Sequence, residues 1–335
     1  MTYHSSFRAI FPYYANEWIN RQRAYETFFG ALKGPSFPAL DGRSIVGDHG
    51  CGTGENLALL LKTLTSLPDR HELRVRAVDQ NPELAGETSK RLEKLGIDAS
   101  VTVGDGLSTN RDLLRAAFKL SPQEYLSVSM VEHVLYSIIN DQAKLAGSLN
   151  SILSIIHPNG LLISSLSNDS DADEVRQNKR DLRDKGKDEP ARKMVHVAKH
   201  LGLQIFEIPI KAQLIDPGIS ASEWGDIASG RATPNSDLDF KMASALKLLE
   251  FSVAPYDVLL KRGILENSTY KFSERIKKGF SIDSIIQVIP TKGSSEEFIQ
   301  AVEGASSAAA KGQAINSSNY VRLGTVKDVE NFRPA

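Results

Sequence analysis

Cysteine occurs once in this chain, at Cys51, which excludes an internal disulfide and a cysteine-built zinc cluster and fits a reducing compartment. In a tight loop such a cysteine reads as a small space-filling residue. Charge of one sign is also lacking: 40 basic residues stand against 41 acidic ones, so no overall field recruits nucleic acid or an anionic membrane. Nowhere do roughly 18 uninterrupted apolar residues occur. The opening stretch MTYHSSFRAIFPYY has no charged region leading into an apolar one. The expectation is a soluble, cytoplasmic protein without nucleic-acid or membrane partners. Its 335 residues suffice for one large α/β domain with an elaboration or for two modest domains.

What is present is a bend. HGCGTGEN, residues 49–56, sets Gly50, Gly52 and Gly54 between an apolar run, 44–48, and the helix-like ENLALLLKTL. A strand, glycines and a helix in that order bring backbone against a nucleotide-like ligand. The spacing is not the dinucleotide G-x-G-x-x-G, no Gly-Lys-Ser/Thr follows, and Glu55 stands where a pyrophosphate would need the positive helix end. An adenosine bearing an ammonium group suits Asp48, the acidic residue before the glycines. That describes S-adenosylmethionine.

The rest of the first half alternates. Strands are expected over 73–78, 99–103, 125–130 and 161–166, with helices from Pro82 to Gly96, over 111–120, and over 141–157 behind Asp141 as N-cap. A helix at 190–202, a strand at 203–210 and a last strand at 284–289 follow. The pattern implies an α/β, doubly wound, Rossmann-like seven-stranded sheet with a helical insertion, its ligands at the carboxyl ends of the strands. The boundaries are an aromatic N-terminal lid, 1–40; a cofactor domain, 41–211 with 280–291; a helical substrate cap, 212–279; and a Ser/Ala-rich tail, 292–335, with a helix near 296–310. Asp48, Asp79, Asp105 and the run 129–133 collect at the strand ends. Asp79 is placed to accept ribose hydroxyls and Asp105 the adenine amino group, with N-capping or turn chemistry as their alternative. A nicotinamide enzyme would carry a carboxylate like Asp79 as well.

DHGCGTG, VDQNP, VGDG and HPNGLLIS, over residues 40–170, resemble the successive motifs of class I S-adenosylmethionine-dependent methyltransferases. The resemblance puts Gly50, Gly52 and Gly54 beside the methionine part, Asp79 at the ribose, and Asp105 with Gly106 near adenine. Cys51, Asn56, Gln80, Ser129 and Met130 complete the cofactor set. Glu124-Tyr125 departs from the Phe-Asp that often opens the fourth strand. HVLYS and DLDFKMASALKLLEFSVAPYDVL resemble, more distantly, the histamine N-methyltransferase branch. That likeness implies His133 at the substrate, Glu132 bordering the cofactor, and Phe11, Tyr14, Trp18 and Tyr136 lining the acceptor pocket. Packing of an N-terminal helix on the sheet accounts equally well for the first three aromatics. Residues 167–189 lack the tryptophan that would wall an imidazole ring, which argues against histamine itself.

Methyl transfer from a sulfonium is an in-line displacement that asks the protein for positioning and exclusion of water. Glu132 and His133 are the candidates to hold an amine or take its proton, with a satisfied structural histidine as the alternative at His133. No carboxylate cluster suggests a metal, and no Asn/Asp-Pro-Pro-Tyr marks a nucleic-acid methylase. The expected partner is a small-molecule amine. Transfer to oxygen or carbon, a noncatalytic S-adenosylmethionine-binding regulator, and a nicotinamide oxidoreductase are the rival readings.

Overall fold

The computed structural model describes residues 15–32, 44–66, 73–132, 134–168, 190–213, 218–253, 256–277 and 281–316. Along the chain these form α1 (Ala15–Ala31), β1 (Ser44–His49), α2 (Glu55–Thr65), β2 (Leu73–Asp79), α3 (Pro82–Lys94), β3 (Asp98–Val103), α4 (Arg111–Ala117) and β4 (Leu126–Glu132). A turn of 3-10 helix, Leu135–Ser137, leads to α5 (Gln142–Leu153), β5 (Ile156–Asn168), α6 (Pro190–His200) and β6 (Phe206–Gln213). Then come α7 (Ala221–Ala228), α8 (Phe240–Ser252), α9 (Tyr256–Lys261), α10 (Leu265–Lys277), β7 (Ser281–Pro290) and α11 (Glu296–Asn316).

The seven strands form one sheet in the order β3-β2-β1-β4-β5-β7-β6. Pairs among β1 to β5 are parallel, and β7 runs antiparallel between β5 and β6. This is the doubly wound, Rossmann-like sheet expected from the alternation. Its order reverses between β1 and β4, the switch point at whose carboxyl ends doubly wound sheets place their ligands. Every residue of β1 and β4 is buried, as befits central parallel strands covered on both faces.

Side-chain alternation, interrupted by a register shift between Leu126 and Val128, sorts these two strands between two cores. Val46, Val128 and Met130 join Tyr25, Phe28 and Phe29 of α1, the leucines of α2, and Phe298, Val302, Ala305 and Ala309 of α11. On the opposite face Ile45, Leu126 and Val131 pack with Leu114, Leu149, Ile152 and Met194. α7 to α10 enclose a third core around Trp224, Leu248 and Phe272. They leave the sheet at Gln213 and return at Ser281, which face each other in the β6–β7 ladder. Because β6 and β5 are both antiparallel to β7, the end of β6 lies on the same sheet edge as the ends of β1, β2 and β4.

Of the boundaries that differ from the sequence reading, three have a local cause. α5 stops at Leu153, with Ser154 as its C-cap, because Ile156 already pairs with Leu126 of β4 across a shift in register. β6 starts at Phe206, since Leu203 is still tied by its N–H to Ala198 O through a turn at Gly202, φ 69°. β4 begins at Leu126, leaving Tyr125 outside the strand with Arg115 5.6 Å from its ring centre. Among the described residues no helix is long and apolar enough to cross a membrane.

Candidate cofactor site

The glycine loop is held by its neighbours at nearly every amide. Gly50, Gly52 and Gly54 have φ of 75°, 56° and 75°, the left-handed region that glycine enters without strain. Gly50 and Cys51 N–H donate to Val78 O at 2.7 and 3.1 Å, Gly52 N–H to Asp79 Oδ2 at 2.8 Å, and Gly54 N–H to Cys51 O at 2.9 Å. From α3, Thr88 Oγ1 donates to Gly52 O at 2.8 Å and Arg91 Nε to Thr53 O at 3.0 Å. A Cβ on Gly50 would sit 2.2 Å from Val134 Cγ1, and one on Gly54 2.9 Å from Thr88 Oγ1. At Gly52 the same Cβ would meet nothing among the described residues within 4 Å, so they leave that side of the loop open.

With four loop amides committed inside the protein, a phosphate finds few free donors in the loop itself, although no side chain caps the first turn of α2. Glu55 contributes less to that exclusion than its position in the sequence suggests. Its carboxylate pairs with Arg91 Nη2 at 3.2 Å, so its charge is answered on the spot.

Three carboxylates end their strands on the face shared with α1 and α2. Asp79 accepts Gly52 N–H through Oδ2 and Asn81 N–H through Oδ1, both at 2.8 Å, and thus ties the loop to the end of β2. Asn81 is the N-cap of α3. Turn chemistry is therefore realised at Asp79, and each oxygen keeps acceptor capacity for a further hydrogen. Asp48 is buried and has no hydrogen-bond donor among the described residues; burial, then the charges of Glu132 and Asp79, push its carboxyl well above the usual range. Glu132 accepts Arg21 Nη1 at 2.8 Å and the Tyr25 hydroxyl, both on Oε1, while Oε2 is buried without a partner among the described residues.

His49, absent from the candidates drawn from the sequence, knits the other face. Its Nδ1 lies 2.6 Å from Gly106 O and its Nε2 2.7 Å from Ser129 Oγ. Burial pulls its pKa down to about 4, so the imidazole is neutral. A carbonyl only accepts, which places the proton on Nδ1 and makes Nε2 the acceptor of the Ser129 hydroxyl. The ring thereby joins β1 to β4 and to the loop after β3. A Cβ on Gly106 would come 3.2 Å from His49 Cα, so the loop's approach needs glycine there. The sequence signal was an imidazole set directly between Asp48 and Gly50.

The remaining candidates divide by what is open to a ligand. Gln80 and Asp105 are exposed at the rim, joined at 3.3 Å, and Asp105 Oδ1 also accepts Leu107 N–H at 2.9 Å. Asn56 is half-buried in the first turn of α2. Ser129 is committed to His49 and Met130 to the core, so their side chains are turned inward. The Cys51 thiol is kept protonated by burial and by Asp48. Trp18 lies on the first turn of α1 and Tyr136 on the 3-10 turn. Phe11, Tyr14 and His133 lie outside the described residues. Arg21 and Tyr25 were also missed, though their four-residue spacing puts them on one face of a helix. Among the described residues no group of three or more His, Cys, Asp and Glu could hold a metal.

No protein-family model and no curated protein matches this chain. Solved structures do. A methyltransferase from Geobacter sulfurreducens in complex with S-adenosyl-L-homocysteine is 14% identical, over 80% of this chain and 90% of its own, with a TM-score of 0.43. One from Thiobacillus denitrificans, also with S-adenosyl-L-homocysteine, is 13% identical over 80% and 91%, TM-score 0.43. An rRNA methylase from Streptococcus thermophilus is 18% identical over 54% and 83%, TM-score 0.30.

Proposed function

We propose that this protein is an S-adenosylmethionine-dependent methyltransferase acting on a small molecule, with an amine nitrogen as acceptor. The observation that carries the reading is Asp48: a buried carboxylate with no donor among the described residues, immediately before a glycine loop left open at Gly52. Burial and the neighbouring Glu132 and Asp79 favour the protonated form of Asp48, and a ligand ammonium supports the ionised one where a phosphate would oppose it further. In this reading Asp48 takes the amino group of the methionine moiety, Asp79 offers its remaining acceptor capacity to the ribose hydroxyls, and Asp105 with Gln80 meets the adenine at the rim.

The cofactor supplies a methyl group already activated on a sulfonium. The chain has to align an acceptor lone pair behind that carbon and keep water out. An amine must arrive unprotonated or lose its proton first. His133 follows Glu132 in the chain and is the residue we assign to the acceptor. Glu132, with one oxygen already engaged by α1, is better suited to binding than to passing a proton to solvent. α7 to α10 spring from the sheet edge that carries the strand ends, which supports a role in enclosing the acceptor.

Thermal shift with S-adenosylhomocysteine and NADH tests the cofactor, and methyl-transfer assays on small amines and phenols test the acceptor. Stabilisation by S-adenosylhomocysteine alone is expected, with turnover on amines. Equal stabilisation by NADH refutes the cofactor assignment, and turnover on phenols alone the acceptor. His133→Ala should lower turnover far more than S-adenosylhomocysteine affinity; normal turnover would place the acceptor elsewhere.

A further inference from the structure

The two oxygens of Glu132 have unequal surroundings. Oε1 receives both donors that α1 sends to the strand end, the guanidinium of Arg21 and the hydroxyl of Tyr25, from side chains that are themselves about 1% exposed. Oε2, on a side chain 3% exposed, receives none from the described residues. A carboxylate oxygen withdrawn from water and left without a donor is unfavourable unless a ligand provides one.

Its neighbour has the same need. In the β1–β4 ladder Asp48 stands opposite Met130, and Glu132 lies two residues further along β4, on the same face of the sheet. The charge of Glu132 is felt at Asp48, second only to burial. Two buried acceptors short of donors therefore lie side by side at the ends of adjacent strands. Among the described residues Arg21 is the cation paired with Glu132, and none is paired with Asp48, so a cationic ligand suits the pair.

On the cofactor reading above, in which Asp48 takes the ammonium group of the cofactor's amino-acid moiety, we propose that Arg21 and Tyr25 of α1 are positioning residues that aim Glu132 Oε2 at the same group. An ammonium carries three N–H donors, enough to serve both carboxylates and one backbone carbonyl. By holding Oε1 from α1, Arg21 and Tyr25 stop the carboxylate from rotating and leave Oε2 as the only oxygen free to turn to the ligand. α1 thereby becomes part of the binding site through residues that need not touch the cofactor.

The test is calorimetric titration of S-adenosylhomocysteine, and of its analogue lacking the amino group, into the wild type, Glu132→Gln and Tyr25→Phe, each checked for cooperative unfolding. The wild type should prefer the amine-bearing ligand. Glu132→Gln should cut that preference about tenfold, the scale of a lost charge-assisted hydrogen bond, with little change for the deaminated analogue. Tyr25→Phe keeps the buried ring and should cut it by about threefold, the lower end of a single hydrogen bond. A purely structural role would weaken both ligands alike. Equal weakening, or an intact preference in either variant, overturns the proposal while leaving the cofactor reading standing. Failure of the wild type to bind either ligand removes the cofactor reading itself. Should Glu132→Gln not fold, Tyr25→Phe decides alone by the same criterion.

Discussion

At Asp48 binding and stability pull in opposite directions. Its folded carboxyl holds a proton more tightly than the unfolded chain does, because of burial, Glu132 and Asp79. The folded state is therefore favoured below the ordinary carboxylate pKa, and this contribution is lost as pH rises through the raised folded value. Near neutral pH Asp48→Asn should raise the unfolding temperature of the ligand-free protein, yet weaken S-adenosylhomocysteine at least about tenfold by removing a charged partner. A lower unfolding temperature would mean that a donor already satisfies the carboxylate. His49 has the opposite sign. Its pKa falls from 6.5 to about 4, so the unfolded chain takes up the proton first and stability is lost as pH drops across that interval. For a fully buried ring this amounts to roughly 3 kcal/mol. Urea midpoints measured across the interval should fall in the wild type and lose most of that slope in His49→Gln; a flat wild-type profile would mean that the imidazole is not held neutral.

At the scale of elements the glycine loop separates two roles for one residue type. Gly52→Ala adds a methyl to space left open by the described residues, so its stability cost is the left-handed strain, about 1–2 kcal/mol, while the ligand loses its approach. Gly54→Ala bears the same strain and also drives its Cβ against Thr88 Oγ1. Denaturant titrations should rank Gly54→Ala as the less stable variant, and calorimetry should find binding abolished in Gly52→Ala even where that protein is folded. Retained affinity in Gly52→Ala would make the loop a turn and no more. The loop itself was readable in the sequence, because buried strands and paired glycines are local signals. So was Asp141, whose side chain caps α5 through Lys144 N–H. Unreadable were the groups that come from afar: Thr88 and Arg91 of α3, bonded to the loop from 36 and 38 residues away, and the Arg91 partner that answers Glu55. Periodicity places helices but does not say which side chain of one reaches the backbone of another.

Across the whole molecule the two ends of the described chain meet on one face of the sheet. α11 packs on α1 and β6, and Gln313 Nε2 donates to Asn20 O of α1 at 2.8 Å. Phe298, Val302, Ala305 and Ala309 recur at helical spacing and share a core with Val46, Val128 and the α1 aromatics. The sequence shows a Ser/Ala-rich segment after the last strand, and its small side chains conceal that role: close helix contact, rather than a strong apolar stripe, is what α11 provides. Since α1 also bears Arg21 and Tyr25, the layer that completes the core is the one that reaches Glu132. Phe298→Ala should therefore cost about 3–5 kcal/mol, the range for truncating a buried aromatic, and stopping the chain at Gly293 should abolish the cooperative transition seen by differential scanning calorimetry. A chain ending at Gly293 that unfolds cooperatively at the full-length temperature would show that α11 is an appendage and that α1 and the sheet close the core without it.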